Sequence, residues 1–163
     1  MSTYGRQILG STGLPLQVSA DGSPDWKSGG ATIDWSTVPA AGSDTTFASG
    51  LVLPSGQKGL PAGTVLCQIT SGGKYGPAAT AAGGATAAAD GRQTIAFGAC
   101  GILNEDLLLN GPIGSGYGAK ATDHTGLIEG GLVWPLRLQV GAAGQPTLAQ
   151  LVAALPRLRL VQS

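Results

Sequence analysis

The single histidine of the chain is the first candidate for chemistry. His124 lies in the stretch Asp123, His124, Thr125 and Gly126. A serine, histidine and aspartate relay is recognised by its geometry, so it can be assembled from any order along a chain. However, no Gly-x-Ser-x-Gly elbow stands between a strand and a helix to present a nucleophilic serine. We therefore expect a polar turn between strands here and no catalytic role for His124.

Two further patterns could support chemistry, and neither is complete. Glu105 and Asp106 are adjacent acids, but neighbours on a strand point to opposite faces, whereas acid–base catalysis needs two carboxylates facing one cleft. We expect them at a solvated strand end. The glycine-rich residues 111–118 resemble a phosphate loop, but Lys120 is followed by Ala121 instead of Ser or Thr. The sequence therefore predicts no enzymatic activity.

The two cysteines, Cys67 and Cys100, allow either a disulfide or two thiols. The chain is long enough to build a core, and its start, residues 1–6, lacks the pattern of an export signal, so we expect buried free thiols. A zinc site is not expected, because neither cysteine has a partner at Cys-x-x-Cys spacing. No metal and no cofactor are predicted.

The middle of the chain has the pattern of short strands and tight turns. β-branched and aromatic residues concentrate in four segments, which we predict as strands: 45–48, 51–53, 64–70 and 94–103. Alternation in the third segment places Val65, Cys67 and Ile69 on one face, opposite Leu66 and Gln68. Two tracts of small residues, 77–89 and 110–118, are predicted as loops. Strands this short and this close together are typical of a small barrel or sandwich.

The C-terminal residues have a different pattern. Leu148, Leu151, Val152 and Leu155 follow the i, i+3, i+4, i+7 spacing of one helix face, with Thr147 as the N-cap. The helix should stop at Pro156. Residues 157–162 then alternate between charged and apolar side chains, which predicts a half-buried final strand. The predicted fold is mainly β, with one short C-terminal helix.

Composition favours a binding role over nucleic-acid or membrane contact. Only 11% of residues are charged, with nine basic and nine acidic side chains, so no basic field would attract phosphates. The apolar runs are far shorter than a membrane span. A surface with so few charges suggests contact with another protein.

The first 45 residues contain short apolar pieces between turn clusters, and none is long enough for its own core. They predict either an extended arm, separate from a β domain at 46–163, or the first strands of that domain. In the first case, apolar and aromatic residues would bind the partner; these are Tyr4, Ile8, Leu9, Leu14, Leu16, Trp26 and Trp35. Trp26, Trp35 and Tyr117 are also candidates for stacking on sugars, whereas Trp134 lies in an apolar run and is expected in the core.

Four segments in order carry a resemblance to a known family. Residues 60–75, 89–106, 127–133 and 147–161 resemble the head decoration proteins of tailed bacteriophages, the lambda D-like group. The resemblance covers about two-thirds of the chain. Its departures are the long N-terminal segment, 1–45, and the insert at 110–120.

The resemblance implies a β-tulip fold, a homotrimer on the outer surface of the capsid, and no enzymatic activity. The implied partner is the major capsid protein of the expanded head, which the trimer would stabilise against internal DNA pressure. The protein would be made in the host cytoplasm and act on the virion. Two alternatives remain, which are a trimeric tail or fibre module and a glycan-binding β module.

Overall fold

The computed structural model describes residues 18–20, 24–109 and 124–161. These residues form mainly short strands, most of them in antiparallel pairs, together with one short helix and three 3₁₀ turns. The strands are β1 Asp25–Trp26, β2 Ala31–Thr32, β3 Thr45–Thr46, β4 Val52–Leu53, β5 Gly59–Leu60, β6 Val65–Gln68, β7 Tyr75–Pro77, β8 Cys100–Leu103, β9 Leu107–Leu108, β10 His124–Thr125, β11 Leu127–Val133 and β12 Leu158–Leu160. The helix, α1, is Leu148–Ala154. The prediction of a mainly β fold with one short C-terminal helix is confirmed.

A six-stranded sheet organises the molecule. Its order is β1-β11-β8-β6-β7, and β12 pairs with the second half of β11. The pairs within the main path are antiparallel, whereas β11 and β12 run parallel. The remaining strands form three two-stranded pairs, β2–β10, β3–β4 and β5–β9.

Both faces of this sheet are covered, because alternate residues of each central strand enter different cores. Val65 and Cys67 of β6 belong to one buried cluster, and Leu66 between them belongs to the other. In the same way Ile102 and Leu103 of β8 divide between the two clusters. The predicted alternation along β6 is therefore confirmed, and it is the period of two that any strand imposes.

The strand predicted at 94–103 is shorter than expected. Only Cys100–Leu103 is a strand, and residues 94–99 are not. The N–H groups of Ala99 and Cys100 both donate to the carbonyl of Ala96, which closes a turn around Gly98 at φ 79°. Glycine adopts this positive φ readily, so a turn interrupts the run of β-forming residues.

Helix α1 begins and ends where the sequence predicts. The Thr147 side chain accepts a hydrogen bond from the N–H of Gln150, and the Gln150 side chain accepts one from the N–H of Thr147, which makes a complete capping box. Leu151 and Leu155 are fully buried against the sheet. Val152, predicted on the same buried face, is 37% exposed, because this short helix packs by its Leu151 and Leu155 side and leaves Val152 at the rim. The final strand, β12, follows as predicted.

The described part of the N-terminal segment belongs to the sheet and its second core. β1 pairs with β11, and Ile33 forms a bridge with Tyr75 of β7. Ala31, Ile33, Trp35 and Val38 are buried in the second cluster. Residues 25–38 therefore pack against the β domain. Residues 1–17 lie outside the described residues.

The expectation of free thiols is wrong, because Cys67 and Cys100 form a disulfide. They lie directly opposite each other in the β6–β8 register, and both are fully buried. Spacing along the chain does not reveal this register, so the pairing was not predictable from the 33-residue separation.

Two loops were predicted from the sequence. The first, residues 77–89, contains one 3₁₀ turn and is otherwise irregular after Pro77, but Ala78 and Thr80 within it are buried. The loop at 110–118 lies outside the described residues. Among those that are described, no helix has the length and apolar character needed to cross a membrane.

Candidate functional site

Of the residues singled out for chemistry, His124 and Asp106 make contacts that join neighbouring elements. His124 is exposed on β10, which pairs with β2, and its Nδ1 lies 3.3 Å from Thr32 Oγ1. Asp106 accepts hydrogen bonds from the N–H of Ala62, at 2.7 Å, and from the hydroxyl of Ser49. It therefore holds two loops together instead of marking a solvated strand end, whereas Glu105 is exposed as predicted. The described ranges contain no group of three His, Cys, Asp or Glu side chains that could hold a metal.

The two tryptophans proposed as partner anchors have opposite environments. Trp35 is 2% exposed and lies in the second core, so its ring is not available at the surface. It begins a 3₁₀ turn whose N-cap, Asp34, accepts hydrogen bonds from the N–H and hydroxyl of Ser36. These hydrogen bonds lower the pKa of Asp34 below its ordinary value of 3.8. Trp134, expected in the core, is only partly buried, although its indole nitrogen is enclosed.

Trp26 is the exposed aromatic of the two, with half of its surface accessible. It borders a cleft of about 280 Å³ whose other lining residues are Asn104, Glu105, Thr125 and Gly126. These residues come from β1, from the turn after β8 and from the β10–β11 junction. Sequence reasoning did not bring them together, because strand pairing across the sheet, and not chain proximity, creates the cleft.

Neighbouring ion pairs fix the strand that carries Trp26. Lys27 Nζ lies 3.2 Å from Glu129 Oε1 and 5.6 Å from the centre of the Tyr75 ring, and it also donates to the carbonyl of Gly98. Burial by itself lowers the pKa of Lys27, but hydrogen bonds with Tyr75 and Glu129 outweigh that effect, and the net pKa is raised above 10.5. Lys27 therefore stays charged and holds β1 against β11.

On the other side of Trp26, Asp25 contacts Arg157 at 3.5 Å. The Arg157 guanidinium lies 5.2 Å from the centre of the Phe97 ring, a distance typical of a cation–π contact. Phe97 is 51% exposed. Trp26 and Phe97 are thus two separate exposed aromatic residues. Lys27, which is paired with Glu129, follows Trp26 in the chain, and Arg157 lies against the Phe97 ring.

Other exposed apolar side chains are distributed over the described surface; they are Val52, Leu136 and Val152. Leu136 is the most exposed of them, at 71%. Of the proposed arm residues, Tyr4, Ile8, Leu9, Leu14 and Leu16 lie outside the described residues, as does Tyr117 of the sugar-stacking set.

Comparison with known proteins gives no relative from which to assign this surface. No family model, no curated protein and no solved structure matches the chain.

Proposed function

We propose that this chain is a capsid decoration protein of a tailed-bacteriophage head. In this proposal it binds the outer surface of the expanded head as a homotrimer, with the major capsid protein as its partner, and stabilises the head against internal DNA pressure. It acts by binding alone and catalyses no reaction.

One observation carries the proposal. The four segments that resemble decoration proteins coincide with structural elements that pack together: 60–75 contains β6, 89–106 contains β8, 127–133 is β11, and 147–161 contains α1 and β12. β6, β8, β11 and β12 are consecutive neighbours in one sheet, and Leu151 of α1 and its C-cap residue Leu155 are buried in the core on one side of it. The resemblance therefore follows the structural centre of the domain and not a set of unrelated loops.

The surface and the disulfide support the same proposal. Trp26 and Phe97 expose aromatic rings on a chain with few charges, and aromatic side chains are enriched at the centres of protein interfaces. The Cys67–Cys100 disulfide suits a protein that persists outside the reducing cytoplasm. Many copies acting on one shell would convert modest affinity per site into strong retention.

The test is binding to expanded, undecorated phage heads. The purified protein is mixed with heads, sedimented, and imaged by cryo-electron microscopy. We expect density at three-fold positions on the outer surface, and heads that retain DNA to a higher temperature, since a ligand that binds only the intact head stabilises it by mass action. Density on tails, or no binding to any particle, would refute the proposal.

A deletion separates the contribution of the N-terminal segment. Without residues 1–16 the protein should lose head binding while it keeps the cooperative unfolding transition of the full chain, which serves as the folding control. Undiminished binding by this variant would remove those residues from the proposed interface. If the density at each binding position on the head accounts for a number of chains other than three, the homotrimer is contradicted.

A further inference from the structure

We infer that the cleft beside Trp26 is a binding site for a neutral saccharide unit. The inference stands on the geometry of the described residues and goes beyond head binding, which needs no such site.

The indole of Trp26 lies against the backbone at Gly126. A Cβ placed on Gly126 would lie 3.0 Å from Cε3 and 3.1 Å from Cζ3 of that ring, which is tighter than nine in ten real Cβ contacts. Gly126 has no positive φ that would itself demand glycine. Its lack of a side chain therefore gives the ring room to lie against the backbone, while half of the Trp26 surface stays exposed.

Polar groups of both hydrogen-bonding kinds surround this ring. Asn104 is 7% exposed, and its Oδ1 accepts the N–H of Ser19 at 2.9 Å, so the orientation of the amide is set and its NH₂ group faces away from that contact. Glu105 contributes a carboxylate, which is an acceptor group, and Thr125 contributes a hydroxyl that donates to the carbonyl of Gly126 at 3.4 Å and accepts with its remaining lone pairs. Donors and acceptors thus stand beside one flat apolar surface.

This combination matches the chemistry of a sugar ring. Sugar hydroxyls both donate and accept, and the C–H face of the ring is apolar, so a saccharide satisfies the aromatic platform and the polar rim together. The volume of about 280 Å³ is at the lower end for ligand sites, at about 300 Å³, which suits a single sugar unit. Among the residues that the structure describes, the lining contains a carboxylate and no lysine or arginine, which disfavours anionic ligands.

The test uses the three tryptophan indole N–H signals in a nitrogen-15 NMR spectrum, assigned by single Trp→Phe variants. The full chain is titrated separately with glucose, galactose, mannose and N-acetylglucosamine. We expect at least one sugar to shift the Trp26 signal saturably while those of Trp35 and Trp134 stay in place. A panel in which no sugar moves the Trp26 signal, or in which all three signals move together, overturns the inference.

Matched variants complete the experiment. Gly126→Ala should weaken sugar binding roughly tenfold, because the added methyl displaces the indole. Phe97→Ala removes an exposed aromatic elsewhere and should leave the affinity unchanged. If Gly126→Ala fails to fold, Glu105→Gln serves instead, and its affinity should fall because a strong acceptor is lost. Equal sugar affinity in the Gly126→Ala (or Glu105→Gln) variant and the Phe97→Ala variant overturns the inference. Arginine amide is titrated as a cationic control, because the carboxylate of Glu105 would attract a cation. A Trp26 signal that shifts with arginine amide and with no sugar also overturns the inference.

Discussion

Breaking the Cys67–Cys100 disulfide should lower the free energy of unfolding by about 3.7 kcal/mol at 25 °C. The bond closes a loop defined by a sequence separation of 33. In the chain-entropy treatment, a closed loop of this length removes about 12.5 cal/mol/K from the unfolded ensemble, which gives that value. Strand pairing already places the two residues opposite each other in β6 and β8, so reduction leaves the native register available and acts mainly on the unfolded chain.

The assay is guanidinium unfolding with and without a phosphine reductant. Trp35 is buried in the second core, so tryptophan fluorescence reports its exposure on unfolding. For a chain of this size the same loss corresponds to a melting temperature lower by about 7–15 °C. The control is the double variant Cys67→Ala with Cys100→Ala, whose stability should not respond to the reductant.

Two results would refute this reasoning. If the free energies of unfolding of the oxidised and reduced proteins differ by less than about 1 kcal/mol, the disulfide does not stabilise the fold through the loop-closure entropy calculated above. Alkylation of both cysteines in protein unfolded without reductant, seen as a mass increase of two adducts, would show that the bond is absent.

Three further predictions concern Gln145, Thr147 and Asp34. Gln145→Ala should destabilise the fold by about 1–3 kcal/mol, because it leaves a buried strand N–H, bonded at 2.8 Å to Gln145 Oε1, without an acceptor; an unchanged guanidinium midpoint would contradict this. Thr147→Ala should cost about 1 kcal/mol through the lost N-cap of α1, whereas Val152→Ala on the exposed rim of that helix should cost clearly less in thermal unfolding. The folded pKa of Asp34 is depressed below 3.8, so its contribution to stability is complete above pH 3.8 and is lost as the pH falls through the folded value. Asp34→Asn, which still caps the turn, should remove this part of the acid sensitivity in a pH titration of unfolding; the same acid profile in both proteins would show that the Asp34 charge contributes nothing.

Local patterns were sufficient for the C-terminal elements and for the alternation in β6. The capping box of Thr147 and Gln150, the apolar spacing of α1 and the stop at Pro156 act within one or two turns of chain, so the sequence shows them directly. The two faces of β6 follow from the period of two in a strand. The sharing of a face by Val65 and Cys67, opposite Leu66, was therefore predictable, whereas the burial of both faces depends on what covers the sheet.

Features that depend on which strands pair with each other were not predictable from the sequence. Trp35 follows a polar turn cluster in sequence, yet a bridge between Ile33 and Tyr75 brings its segment against the sheet. The disulfide depends on the β6–β8 register. The Trp26 cleft depends on the pairing of β1 with β11, since Asn104 and Gly126 are far from Trp26 along the chain. Each of these three features depends on a contact between residues that are far apart in the sequence, and local sequence patterns do not show such contacts.

Val133 lies between the two ends of the described chain. It pairs with Ser19 on one side and with Leu160 of β12 on the other. Adjacent strands are about 4.8 Å apart, so residues 19 and 160 lie about 10 Å from each other. A linker of a few residues would therefore join residues 19 and 160 in a circular permutant of residues 19–160, with new termini opened at the exposed Gly72–Gly73 turn. Fusion partners on such a chain would leave from the β6–β7 turn, and not from the side of β11 that pairs with residues 19 and 160.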